Sequence, residues 1–167
     1  MNKKIFIING MARSGKDTFV ELVSELVSTL NFSSVDKVKK IAKEIGWDGE
    51  SKTEKDRKFL SDLKLLTGNY CDMPYQSMKQ KVEEFNKDNI HQCLFLHIRE
   101  PEEIQRAVNE FNAKTILITR NLVEQITSNM ADANIYNYKK YDYIINNDGT
   151  IEDLKKVAEH FVKEKIN

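Results

Sequence analysis

The segment Gly10-Met11-Ala12-Arg13-Ser14-Gly15-Lys16-Asp17-Thr18 constrains this chain more than any other feature. It matches G-x-x-x-x-G-K, follows the short β-branched and aromatic run Lys3 to Asn9, and opens a stretch with helical spacing. Glycines let a backbone fold tightly enough for successive N–H groups to point inward at phosphate oxygens. The helix that follows adds the positive end of its dipole, and Lys16 supplies a mobile cation for the outer phosphates of a nucleotide. Gly10, Ala12, Arg13, Ser14, Gly15, Lys16, Asp17 and Thr18 are therefore the expected nucleotide contacts. Asp17 stands where Ser or Thr is usual. Its carboxylate is a candidate Mg²⁺ ligand, directly or through water, and equally an ordinary acidic residue of a first helical turn.

Sparse punctuation, two prolines and six glycines, makes the elements readable. Strands are expected at Lys3 to Asn9, Asn31 to Val35, Gln92 to Ile98, Thr115 to Thr119 and Tyr143 to Asn146. Phe19, Leu22, Val23, Leu26, Val27 and Leu30 share one helical face. A helix capped by Asp36 should stop at Gly46, and another resumes near Lys58 and ends at Gly68. Tyr75 to Asn89, a helix with Pro101 in its first turn, and Ile151 to Ile166 complete the set. Short apolar strands alternating with helices predict an α/β fold: a three-layer sandwich, five strands in a mostly parallel sheet, helices on both faces. Such a sheet receives ligands at the carboxyl ends of its strands, where the Gly10 loop lies. The length fits one domain over 1–167.

Charge excludes some partners. Lys and Arg number 26 against 26 Asp and Glu, with a sequence pI of about 6.8, which argues against a broadly basic nucleic-acid binder. No apolar run approaches the length of a membrane span, so no membrane partner is expected. Two cysteines, Cys71 and Cys93, make no disulfide framework, and a reduced, cytoplasmic protein is the expectation. A homodimer is compatible with all of this.

Three islands carry a resemblance. Arg13 to Thr18 (RSGKDT), Asp142 to Leu154 (DYIINNDGTIEDL), and Arg99 to Ile104 followed by Ile116 to Arg120 resemble blocks of the phage-type deoxynucleoside monophosphate kinases, a group of P-loop nucleotide kinases. The resemblance implies a P-loop NTPase fold with a small lid at about 121–141 and an acceptor-binding helical region at about 36–90. It implies transfer of the ATP γ-phosphoryl group to a (deoxy)nucleoside monophosphate, with ATP and Mg²⁺ as cofactors. Kinases of phosphomevalonate or dephospho-coenzyme A, and a nucleotide-binding regulator with little turnover, are the other readings. Two departures stand out. The third strand carries His97 where the family often has Asp, and Arg120 is the last arginine before Asp142, leaving the lid with Lys139 and Lys140.

Planar guanidinium forks suit the orienting of phosphates. Lys16, Arg99 and Arg120 are the candidate catalytic cations, with Arg120 facing the ATP phosphates. Asp36, Arg57, Arg99 and Glu103 are candidate acceptor contacts; an N-cap for Asp36, a solvated helix charge for Arg57 and an Arg99–Glu103 ion pair are the structural alternatives. Asn147 and Asp148 would frame the adenine or form a plain Asn-Asp-Gly turn. Trp47, Tyr70 and Tyr75 can stack a base or pack a core. Asn129 and Asp132 fall in the lid, Arg106 reads as a solvated helix residue, and the Lys runs at 37–40 and 163–165 read as solvated faces.

Overall fold

The computed structural model describes residues 3–121 and 137–166. Strands β1 (Lys4–Gly10), β2 (Thr29–Ser33), β3 (Cys93–His97), β4 (Lys114–Thr119) and β5 (Tyr143–Asn146) form one sheet in the order β2-β3-β1-β4-β5. Every neighbouring pair is parallel. Between them run α1 (Lys16–Ser24), α2 (Asp36–Glu44), α3 (Glu54–Cys71), α4 (Met73–Lys87), α5 (Pro101–Phe111) and α6 (Ile151–Phe161), the last followed by a π turn at Val162–Ile166.

Because side chains alternate along a strand, each strand serves both faces. Phe6, Ile8, Phe95 and Ile118 face α1 and α6, where they meet Phe19, Val23, Leu154 and Phe161. Phe6, Phe19 and Tyr143 all meet the ring of Phe161 at centroid distances of 5.0–5.9 Å. Ile7, Leu94 and Leu96 belong to the opposite core, with Met78 and Phe85 of α4 and Ile104 of α5. Both faces are covered, as a parallel sheet requires. β1 lies between β3 and β4, so its carboxyl end opens at the middle of the sheet.

The elements agree with the sequence expectation in kind and depart from it at their ends. The helical stripe from Phe19 does not run to Leu30. The helix stops at Ser24, and Thr29–Ser33 pairs with β3, placing Leu30 opposite Leu94. Sheet pairing overrides the local period. Asp36 is the first residue of α2, not its N-cap; its Oδ2 accepts the Ser33 N–H at 2.8 Å and so closes the β2–α2 turn.

α3 starts earlier and ends later than expected. Thr53 and Asp56 make a reciprocal capping box at its start, and the helix passes through Gly68 to Cys71. An added Cβ at Gly68 meets nothing within 4 Å. Gly68→Ala is therefore expected to stabilise the protein by about 0.5–1 kcal/mol, since glycine loses more backbone freedom in a helix. A thermal melt should show a rise of roughly 1–4 °C; a fall would mean that close packing at Gly68 has been overlooked.

Candidate functional site

The loop between β1 and α1 takes its shape from residues in left-handed or mirror-image backbone. Gly10 has φ +153°, Arg13 +64° and Gly15 +95°. Alternation of this kind turns consecutive N–H groups toward one concavity. At Gly10 a Cβ would lie 2.5 Å from the Ile118 carbonyl oxygen and 2.7 Å from Ser14 Oγ; at Gly15 it would overlap the Asn147 amide. The Met11 carbonyl accepts both the Ser14 N–H (3.2 Å) and Lys16 Nζ (3.0 Å), so the ammonium is folded over the loop. Ser14 Oγ is buried without a hydrogen-bond partner inside it.

Asp17 follows Lys16 in the first turn of α1 and leaves its carboxylate largely in solvent, at 83% exposed. Its Oδ1 lies 3.8 Å from Nδ1 of His97, which closes β3 and is 16% exposed. Burial disfavours the imidazolium and outweighs the attraction of Asp17, holding the His97 pKa below the ordinary value. The imidazole Nε2 is buried with no partner.

On the other side of the loop, the Asn-Asp-Gly turn does more than reverse the chain. Asn147 is buried, its N–H bonds the Thr119 carbonyl (2.8 Å), and its side-chain amide donates to the Ser14 carbonyl (2.9 Å). The turn is thereby fastened to the phosphate loop. A hollow of about 220 Å³ opens beside this seam, lined by Gly15, Thr18, Arg120, Asn147, Gly149, Thr150, Ile151 and Leu154. Asp148 does not line it. Its carboxylate accepts the Asn121 N–H (2.6 Å) and side-chain amide (2.7 Å), which holds it below the usual carboxylate range and fixes the residue after Arg120.

The carboxyl end of β3 leads to half-buried Arg99. Glu103, expected beside Arg99, is engaged by Lys64 of α3 at 3.1 Å, and the same ammonium holds Glu100 at 2.6 Å. This clamp ties α3 to the start of α5. Glu100 keeps its charge. Burial, with repulsion from Glu100, pushes Glu103 up to about 7. Since the unperturbed value is 4.5, the folded chain binds the extra proton between those limits. The stabilisation is complete below the unfolded pKa and is lost as pH rises toward about 7. Wild type should lose stability relative to Glu103→Gln over that window; a flat difference in melting temperature would contradict the raised Glu103 pKa.

Arg57 is exposed, with Nε donating to the Lys52 carbonyl at 3.1 Å. Arg106 is not merely solvated: its guanidinium lies 3.5 Å over the Tyr75 ring and pairs with Asp72 at 2.8 Å. Tyr75 is core, Tyr70 is 88% exposed, and Trp47 is half-buried. Asn129 and Asp132 lie outside the described residues. Two site residues escaped the sequence reading. Asn9 is buried and its side-chain oxygen accepts the Gly10 N–H (2.8 Å), while Lys64 makes the clamp. Both were visible as polar residues in apolar patterns, Asn9 after the run Ile5 to Ile8 and Lys64 beside Leu63.

No protein-family model matches the chain, and no curated protein matches its sequence. Solved structures do. A protein of Thermus thermophilus is 18% identical, each chain covering 100% of the other, with a TM-score of 0.59. Dephospho-CoA kinase of Campylobacter jejuni is 20% identical over 98% of each chain, TM-score 0.59. Thymidylate kinase of Candida albicans is 12% identical over 97% of this chain and 92% of its own, TM-score 0.54. The likeness at these identities is one of fold: an α/β sandwich with a parallel five-stranded sheet.

Proposed function

We propose that the chain is a P-loop kinase that transfers the ATP γ-phosphoryl group to a nucleoside monophosphate, with a deoxynucleotide as its preferred acceptor. The observation that carries this is the folded loop from Gly10 to Lys16, with the Lys16 ammonium on the Met11 carbonyl at the middle of the sheet's carboxyl edge. The hollow beside Asn147 and Gly149 is of a size and position for the adenine. The RSGKDT and NDGT blocks support the nucleotide acceptor.

An acceptor phosphate is already nucleophilic at neutral pH, so positioning and charge neutralisation carry the reaction. Lys16 binds the β and γ phosphates. Arg120, lining the donor hollow, orients the phosphate chain, and Arg99, with Arg57 and Asp36, orients the acceptor in the region of about 36–90. Glu103 acts through the Lys64 clamp that sets α3 against α5. Asp17 fits Mg²⁺: it is a hard oxygen donor open to solvent beside the loop. Among the described residues no group of three acidic, His or Cys side chains assembles a metal site, so phosphate oxygens and water would complete the coordination. Held there, the ion would supply positive charge against that of the phosphates. His97 favours a second reading, a nucleotide-binding regulator, because a neutral imidazole replaces a carboxylate at the end of β3.

The test measures ADP release with each common NMP and dNMP, and with dephospho-coenzyme A and phosphomevalonate, against a Lys16→Ala control. Lys16-dependent turnover on a dNMP supports the proposal. Turnover on one of the other two acceptors alone sinks the nucleotide assignment. Tight ATP binding with no transfer to any acceptor supports the regulator.

A further inference from the structure

Five polar residues are buried among the described residues: Asn9, Ser14, Ser34, Thr115 and Asn147. Burying such groups costs free energy unless they are hydrogen-bonded, so their partners show what the burial maintains. Ser14 belongs to the phosphate loop, and Asn147 to the turn fastened to it. Asn9 reaches the same loop from the β1 side. It is wholly buried, and its Oδ1 accepts the Gly10 N–H at 2.8 Å, where the backbone leaves the strand. Its Nδ2 donates to the Tyr141 hydroxyl at 2.9 Å.

Tyr141 stands on a braced segment. Thr115 of β4 accepts the Asp142 N–H on its Oγ1 (2.9 Å) and donates its own N–H to the Asp142 carboxylate (2.8 Å). The Tyr138 ring meets the Tyr141 ring edge-on at a centroid distance of 5.1 Å, and both pack in the core cluster of Ile7 and Leu96. The phenol is thus held through its backbone and through its ring. Chemistry then settles the orientation of the Asn9 amide. A backbone N–H only donates, so Oδ1 faces Gly10 and the NH₂ faces the hydroxyl oxygen that accepts it. Without that oxygen, the NH₂ loses its Tyr141 acceptor, and one of the two bonds that orient the amide is gone.

We propose that Asn9 and Tyr141 act as one positioning unit for the phosphate loop, setting the Gly10 peptide and with it the turn through which the loop meets nucleotide phosphates. The inference rests on the nucleotide-binding part of the kinase reading and is independent of the acceptor. Neither residue lines the hollow beside Asn147, so their effect on binding passes through Gly10. Gly10 is close-packed: a Cβ there would stand 2.7 Å from Ser14 Oγ. A turn of its peptide plane is therefore carried into the interior of the loop.

The test is ADP affinity by titration calorimetry, well below the melting temperatures, for wild type, Tyr141→Phe, Asn9→Ala, their double variant and Tyr138→Phe. Phenylalanine keeps the ring and removes one oxygen, so Tyr141→Phe should fold; circular dichroism checks this. It should bind ADP about fivefold more weakly than wild type, the loss of one hydrogen bond. Asn9→Ala should bind about tenfold more weakly, because both contacts go. The double variant should bind no more weakly than Asn9→Ala, since without the amide the hydroxyl has nothing to orient. Tyr138→Phe alters the same aromatic pair but not the Asn9 contact, and should bind as wild type does. The proposal is overturned if Tyr141→Phe or Asn9→Ala melts lower but binds ADP like wild type, or if the two losses add. It is also overturned if Tyr138→Phe weakens binding as much as Tyr141→Phe, which would make the effect one of packing. Wild type that binds no ADP overturns the kinase reading as well, whereas the expected pattern of affinities supports this inference even where no acceptor turns over.

Discussion

Lys16→Ala should leave the protein folded while phosphoryl transfer falls by about 10²–10³-fold, the loss that follows removal of one preorganised charge-stabilising group. Lys16 is the first residue of α1, so in the ligand-free chain its ammonium lies at the positive end of the helix dipole. What it gains there includes a hydrogen bond to the Met11 carbonyl, a contact of about 1 kcal/mol net. Alanine is the better helix former and removes the repulsion from the dipole. The two effects offset, and the melting temperature is expected to move by no more than roughly 3 °C. With ATP bound the balance changes, because the cation meets phosphate charge that no other side chain at that position can neutralise. The signature is thus a large fall in kcat with a small change in stability. A variant that melts far below wild type would assign Lys16 to holding the loop together. Unchanged turnover would remove it from the chemistry altogether.

Much of the fold was legible because its signals are local. Tyr143–Asn146 is where the apolar run places a strand, and Pro101 opens α5 as its fixed φ suggests. The loop from Gly10 to Lys16 was readable for the same reason: glycine, glycine and lysine at fixed spacing leave few structural options. The misplaced elements are those decided at a distance. Leu30 continues a helical stripe in sequence but pairs with Leu94 in the sheet, a partner that local periodicity does not reveal. Lys64 looks like the polar interruption of an apolar helix until the fold brings Glu100 and Glu103 to it. Charge partners across elements are set by topology, and only the assembled sheet specifies them.

Gly10→Ala should have the largest effect on stability among the loop substitutions, about 2–4 kcal/mol, from strained backbone and overpacking together. Gly10 ends β1 in register with Ile118 of β4, and the new Cβ would stand 2.5 Å from the Ile118 carbonyl oxygen. That oxygen belongs to a central strand and cannot rotate aside as a flexible side chain would. The second close contact, 2.7 Å to Ser14 Oγ, presses on a buried hydroxyl inside the loop. Gly46→Ala is the informative comparison. Gly46 has φ +112°, yet an added Cβ meets nothing within 4 Å. It carries the conformational cost alone, roughly 1–3 kcal/mol, without overpacking. The difference between the two variants therefore measures the steric contact at the end of β1. Adding Ser14→Ala to Gly10→Ala relieves only the hydroxyl and should restore a minor part of the loss. Because the displaced segment is the phosphate loop, turnover should fall further than the unfolded fraction explains. If Gly10→Ala melts and turns over like Gly46→Ala, β1 and β4 do not approach as closely as the parallel register places them.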